Sequence, residues 1–268
     1  MSCYELTVND RSYRVIDEGA THLPVILWLH GFTGSPATFE RTSLKLSHHR
    51  HLRIELAGHG LAAQSACSYA EQVTDLIEIV NVLDIKAFAV VGYSMGGRLA
   101  LGLTCTYPER VTHLVLESSS PGLRTQTEQE ARREHDERLA QRLEQEGLEA
   151  FISFWEKIPL FVSQQQLPTP QRLRLRQQRL HNSVAGLSAS LRGMGTGAQP
   201  SYWSELSQLT CPILSVVGRL DAKYRQLASE MQAVQPQLEI ATVANAGHIV
   251  HFEAPEAFDR LLIKWFKK

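Results

Sequence analysis

"VVGYSMGGRLAL", residues 90–101, sets a serine between two glycines at G-x-S-x-G spacing: Gly92, Ser94 and Gly96. A valine-rich run precedes the serine, and a proline-free, leucine-rich run over 96–107 follows it. Strand, sharp turn and helix are the context in which such a serine stands exposed as a nucleophile or base. The turn is strained, and glycines two residues to either side avoid the clashes that side chains would cause there.

Working outward, "LPVILWLHG", "LRIELAGHG" and "VTHLVLESSS" are further apolar runs suited to strands buried on both faces. "YELTVND" and "RSYRVIDEG" alternate around Asn9 and Asp10, as an opening hairpin would. Apolar residues at helical spacing fill 69–83, and a final helix is expected over 255–268. "CPILSVVGRLD" and "LEIATVANAGH" resume the strands late in the chain. Strands alternating with helices predict an α/β fold with a mainly parallel sheet, whose ligands sit at the carboxyl ends of the strands. The stretch 121–203 contains nothing resembling a buried strand. It reads as an arginine-rich helical cap inserted in a core made of 1–120 and 204–268, with "SQQQLPTPQ" as a loop between cap helices.

A serine needs a histidine, itself oriented by a carboxylate. Asp221 ends "ILSVVGRLD" and His248 ends "LEIATVANAGH", so the order Ser94, Asp221, His248 matches successive strand ends. Glu117, at the end of the fourth buried strand, is the alternative acid. "LHGFTGS" follows another strand. Its turn predicts an oxyanion hole from the backbone N–H groups of Phe32 and Met95, with His30 packed structurally beneath the loop. His59 reads as a loop residue, and His251 as a less suitable base than His248.

With 268 residues, 43% of them hydrophobic, the chain can bury one large core. A net charge of -1 gives no general attraction to nucleic acid or to an anionic membrane. No apolar run approaches the ~20 residues needed to span a bilayer. The N-terminus shows no secretion signal, so a cytoplasmic protein is expected, monomeric or weakly self-associating. Cys3, Cys67, Cys105 and Cys211 are scattered, so neither a metal site nor a disulfide framework is expected, and no cofactor is implied.

Arg98 stands one helical turn beyond the serine. Buried and unpaired, it would cost several kcal/mol, and a carboxylate-bearing ligand would supply the partner in bidentate geometry. Between Pro159 and Pro200 lie Arg172, Arg174, Arg176, Arg179 and Arg192, with no Asp, Glu or Lys among them. That half of the cap is therefore expected to lack local counter-charges. These residues predict a serine-triad enzyme acting on a small polyanion, the partner expected here. A hydrolase of an acidic ester, thioester or carbon–carbon substrate is the alternative, and a non-catalytic binding protein is less compatible with the intact triad order.

Over nearly the whole chain these motifs resemble the α/β-hydrolase superfamily. "GYSMGGR", "ESSSPGL", "ARREHDERLA", "FWEKIPLF" and "GRLDAKYRQLA" are more narrowly similar to the 2-succinyl-6-hydroxy-2,4-cyclohexadiene-1-carboxylate synthases of menaquinone biosynthesis. The resemblance implies a carbon–oxygen lyase that removes pyruvate by 2,5-elimination from a substrate bearing three carboxylates. By the same resemblance Arg98, Arg132 and Arg179 bind carboxylates, Tyr93, Trp155 and Phe161 wall the pocket, and Lys223 adds a cation. Two departures stand out. Ala57 occupies a loop position where proline is common, and Glu134 and His135 interrupt the family's arginine pattern in the first cap helix.

Overall fold

The computed structural model describes residues 2–60, 62 and 67–267. β1 (Ser2–Val8) and β2 (Arg11–Glu18) form an antiparallel pair. Asn9 and Asp10 join them with φ of 48° and 62°. Two successive positive φ values match a turn to the right-handed twist of a hairpin, and Asn and Asp tolerate them better than most residues. β3 (Val25–Leu29), a 3-10 turn (Pro36–Phe39), α1 (Glu40–Ser43) and β4 (Arg50–Ile54) follow. Next come α2 (Tyr69–Val82), β5 (Phe88–Tyr93), α3 (Met95–Thr106) and β6 (Val111–Glu117).

The chain then leaves the sheet for α4 (Gln126–Glu146), α5 (Leu148–Trp155), a 3-10 run (Pro159–Gln166), α6 (Thr169–Leu180) and α7 (Val184–Met194). It returns as β7 (Ile213–Gly218), α8 (Ala222–Val234), β8 (Glu239–Val243), α9 (Val250–Glu253) and α10 (Pro255–Trp265). The eight strands lie in the order β1-β2-β4-β3-β5-β6-β7-β8. From β4 to β8 every neighbouring pair is parallel, and β2 and β1 are added antiparallel at one edge. The carboxyl ends of β3, β5, β6, β7 and β8 therefore share one rim.

Strand side chains alternate between faces, which divides each apolar run between two cores. Leu27 and Leu29 of β3 pack with Leu76 of α2 and Leu99 of α3, whereas Ile26 and Trp28 pack with Phe258 and Leu262 of α10. A third cluster, including Leu139, Leu143, Phe151, Ile152 and Leu187, holds α4, α5 and α7 together.

β4 begins earlier than its apolar run suggests, at Arg50. Arg50, His51 and Arg53 are all buried. The neighbouring β2 makes that possible: Asp17 accepts both ends of Arg50 at 2.9 and 2.7 Å, and Glu18 accepts Arg53 at 2.7 Å. β8 lies at the sheet edge and is only partly buried. Residues 163–166 belong to the 3-10 run and not to an open loop. Pro159 opens that run, and buried Gln164 is anchored by Arg179 at 3.0 Å. The last helix stops at Trp265, and Lys268 lies outside the described residues. Among the described residues, no helix is long and apolar enough to cross a membrane. Nor is there among them a group of three or more His, Cys, Asp or Glu suited to a metal ion.

Candidate active site

β5 carries Tyr93 to the rim, and the chain reverses into α3 at Ser94. The serine has φ 51° and ψ -108°. A non-glycine residue held there costs about 1–3 kcal/mol and persists only when its surroundings over-determine it. Its N–H donates to the Glu117 carbonyl at 2.8 Å, and its carbonyl accepts the Arg98 N–H at 3.0 Å and the Ser119 hydroxyl at 3.2 Å. A Cβ at Gly92 would lie 2.3 Å from the Gly96 carbonyl oxygen, and one at Gly96 would lie 2.1 Å from that of Leu29. The two glycines are thus required by the close approach of β3, β5 and α3.

His248, in the loop after β8, places Nε2 3.0 Å from Ser94 Oγ and Nδ1 2.8 Å from Asp221 Oδ2. Asp221 is also the N-cap of α8, where its other oxygen accepts the Tyr224 N–H at 3.1 Å. A helix N-terminus favours an ionised carboxylate. With Nδ1–H donated to that carboxylate, Nε2 turns its lone pair toward the serine hydroxyl. The alternative acid, Glu117, is engaged elsewhere: both carboxylate oxygens face His251 Nδ1, at 2.9 and 2.8 Å. The loop bearing His248 is bracketed by Glu253, whose carboxylate accepts the N–H groups of Gly247 at 2.8 Å and Ile249 at 3.0 Å.

Phe32 and Met95 both line the cavity in front of Ser94. Met95 is the first residue of α3, and the opening N–H groups of a helix have no intrahelical acceptor. His30 and His59 lie beneath this loop. His30 Nε2 accepts the Leu56 N–H at 3.0 Å, and His59 Nε2 accepts the Thr33 N–H at 3.2 Å. Burial pushes their pKa values down to about 3 and about 4, so both act as neutral braces.

The cavity, of about 120 Å³, is shared by Tyr93, Ser94, Arg98, Arg132, Trp155, Phe161 and Lys223. Three cations line it, against one carboxylate, Asp136. That carboxylate is already engaged by Arg132 Nε at 2.8 Å. Arg98 is 7% exposed and forms no ion pair among the described residues. Its guanidinium donates to the carbonyls of Met194 at 2.8 Å and Gly195 at 3.3 Å, and to Gln199 Oε1 at 3.5 Å. Met194 ends α7, so the cation sits against the negative end of a helix. Burial still pulls the Arg98 pKa below its ordinary value. Lys223 is also lowered, first by burial and then by the charge of Arg132. A bound anion would relieve both.

Arg179 is not brought into this cavity. It is buried and donates to Glu156 Oε1 at 3.3 Å and Gln164 Oε1 at 3.0 Å, with its charge 5.0 Å from the ring centre of Phe161. Phe161, which lines the cavity, is thus its contact with the chamber wall. The expected shortage of counter-charges in this half of the helical segment does not hold. Arg176 pairs with Glu156 at 2.8 Å, and Arg192 with Glu137 at 2.8 Å and Glu144 at 2.5 Å. Glu137 and Glu144 stand on α4 and Glu156 just after α5, distant in sequence and adjacent in space.

Some cavity residues were not foreseen. Tyr224 places its ring 4.7 Å from that of His248, and α7 contributes Ser190, Leu191 and Met194. Tyr224 had a signal, since it follows Asp221 by three residues at a helix start. The α7 residues had none, because their position depends on docking against α4.

The profile of the Alpha/beta hydrolase family matches residues 26–261. A protein of Bacillus subtilis (strain 168), provisionally named as a 2-succinyl-6-hydroxy-2,4-cyclohexadiene-1-carboxylate synthase, is 42% identical, the match covering 98% of this chain and 97% of that protein. The 2-succinyl-6-hydroxy-2,4-cyclohexadiene-1-carboxylate synthase of Enterobacter sp. (strain 638) is 32% identical over 89% of this chain and 90% of its own length. The solved structure of MenH from S. aureus superposes with a TM-score of 0.89 at 32% identity, covering 95% of this chain and 97% of that one.

Proposed function

The chain belongs to the alpha/beta hydrolase family and, within it, to the 2-succinyl-6-hydroxy-2,4-cyclohexadiene-1-carboxylate synthases; on that premise we propose how its own residues carry out the reaction. The enzyme converts 2-succinyl-5-enolpyruvyl-6-hydroxy-3-cyclohexene-1-carboxylate to 2-succinyl-6-hydroxy-2,4-cyclohexadiene-1-carboxylate and pyruvate, a step of menaquinone biosynthesis. The observation that carries this reading is a base-ready serine sharing one cavity with Arg98, Arg132 and Lys223, cations that outnumber the single lining carboxylate.

Asp221 holds His248 in the tautomer that makes Ser94 Oγ basic. Ser94 takes the ring proton next to the succinyl carbonyl. Charge develops on that carbonyl oxygen, and the N–H groups of Phe32 and Met95 stabilise it. As the electrons move through the ring, the far carbon–oxygen bond breaks and pyruvate leaves as its enolate, which takes up one proton to give pyruvate. No acyl-enzyme and no cofactor are needed. Arg98 and Arg132 bind substrate carboxylates and so orient the proton toward Ser94, which is positioning more than chemistry. Lys223 adds charge, Tyr93 and Phe161 supply walls, and Arg179 contributes through Phe161. Trp155 Nε1 is buried with no partner among the described residues and would donate to a substrate oxygen.

A cavity of about 120 Å³ is small beside the ~300 Å³ at the low end of ordinary ligand pockets, which supports a reading in which the helical segment 121–203 shifts to admit the substrate. The proposed setting is the cytoplasm, with the chain acting as a monomer or a weak homo-oligomer. The test is to incubate the purified protein with the enolpyruvyl substrate in labelled water and follow pyruvate. Pyruvate released in step with the cyclohexadiene product, with no oxygen taken up from water, is the expected result. Faster turnover of neutral esters, with no pyruvate, would overturn the proposal.

A further inference from the structure

The molecule contains a second hydroxyl–imidazole–carboxylate chain that the proposed mechanism does not use. Glu117 ends β6 and His251 lies on α9, three residues after His248; both side chains are almost wholly buried, at 0% and 1% exposure. The Glu117 carboxylate accepts His251 Nδ1–H and also the His251 backbone N–H, the latter at 3.0 Å. On the other side of the ring, Nε2 lies 2.7 Å from Thr38 Oγ1. With Nδ1–H given to Glu117, Nε2 is left to share a hydrogen bond with the threonine hydroxyl.

None of the three residues lines the catalytic cavity, so this is not a second active site. Its position explains it better. The Glu117 backbone carbonyl accepts the Ser94 N–H at 2.8 Å, which fixes the strained turn. Thr38 lies in the 3-10 turn after the oxyanion loop. His251 belongs to the short helix that follows His248, and its ring packs edge-on to Tyr93 at 5.1 Å. Tyr93 in turn fills the space beside Gly31, where a Cβ would lie 2.6 Å from the tyrosine ring. One carboxylate and one imidazole thus join the segments that carry the base, the serine and the oxyanion donors.

We infer that Glu117, His251 and Thr38 form a positioning strut that sets the spacing of His248, Ser94 and the oxyanion loop for the reaction proposed above. The inference rests on Ser94 being the reacting group, so its test reads Ser94 in two ways. Thr38→Val keeps the shape and removes the hydroxyl, leaving Nε2 of a buried ring unsatisfied. Thr38→Ser keeps the hydroxyl. Glu117→Gln disturbs the other end. For each variant the experiment measures kcat and KM for pyruvate release, the rate at which a fluorophosphonate modifies Ser94, and the melting temperature.

Thr38→Val is expected to lower kcat and the modification rate by roughly ten-fold, with KM within two-fold, while Thr38→Ser restores both to within about two-fold of wild type. Glu117→Gln, if it folds, should show the same pattern with a larger loss. A folded Thr38→Val protein with unchanged kcat and modification rate would overturn the strut, as would losses that Thr38→Ser fails to rescue. If the wild type is modified at Ser94 and releases no pyruvate, the functional reading fails instead, and the modification rates alone judge the strut.

Discussion

The sheet rim and the helical segment between β6 and β7 both carry arginine, and they satisfy it differently. In the helical segment Arg176, Arg179 and Arg192 each meet a carboxylate from a neighbouring part of that segment. At the rim Arg98 meets only carbonyl and amide oxygens, and below it His30 and His59 are buried as neutral bases. A cation matched by a protein anion holds the fold together. One matched only by dipoles keeps a share of its charge available to a ligand.

The strongest way to break this contrast is at the rim itself. Ser94→Ala should lower kcat by roughly 10²–10⁴-fold, the range for loss of a positioned base, with little change in KM. Single-turnover assays of pyruvate release measure it. A variant that kept wild-type turnover would remove the rim from the chemistry altogether.

Acid should find the rim before the helical segment. His30 and His59 have folded pKa values of about 3 and about 4, against 6.5 for the free side chain. Between those limits the unfolded chain binds the extra protons, so their stabilisation is complete above pH 6.5 and is lost as pH falls. From pH 7 to pH 5 each should cost about 2 kcal/mol, measured as urea midpoints across that range. A stability curve flat over this range would show that neither ring is kept neutral by burial.

Arg98→Gln sharpens the comparison at one residue. Losing a charged hydrogen-bond donor is worth about 1.5–3 kcal/mol, so KM should rise by roughly 10–150-fold. The kcat should fall as well if the same contact aligns the transition state. Initial rates against substrate concentration separate the two, and an unchanged KM would mean that no carboxylate binds there. The smallest effect belongs to the helical segment. Arg192→Ala removes half-exposed ion pairs to Glu137 and Glu144, and solvent and salt screen such pairs so that they add little to stability. Thermal melts should show a small loss that added salt also produces, with kcat and KM unaltered.

Much of the site was legible because its signals are local. Gly92, Ser94 and Gly96 mark the turn, and Asp221 and His248 each follow an apolar strand whose end must lie on the shared rim. β4 was only partly legible, because the acids that let Arg50 and Arg53 lie inside the sheet stand on β2, more than thirty residues away. Arg179 lies in the same arginine-rich stretch as Arg192, and nothing local reveals that it turns to Glu156 and Gln164 and does not line the cavity. Glu117 and Asp221 both end strands on the same rim, and sequence could rank them but not point them.

By itself the sequence determined the strand and helix periods, the tight turn at Ser94 and the order of serine, aspartate and histidine along the chain. Only the tertiary structure decided which carboxylate faces which imidazole and which arginines keep unspent charge. The physical reason is range. Backbone preference and side-chain periodicity act over a few residues, whereas an ion pair or hydrogen bond depends on a few ångströms of space, and in this fold those ångströms separate residues such as Glu117 and His251, 134 positions apart.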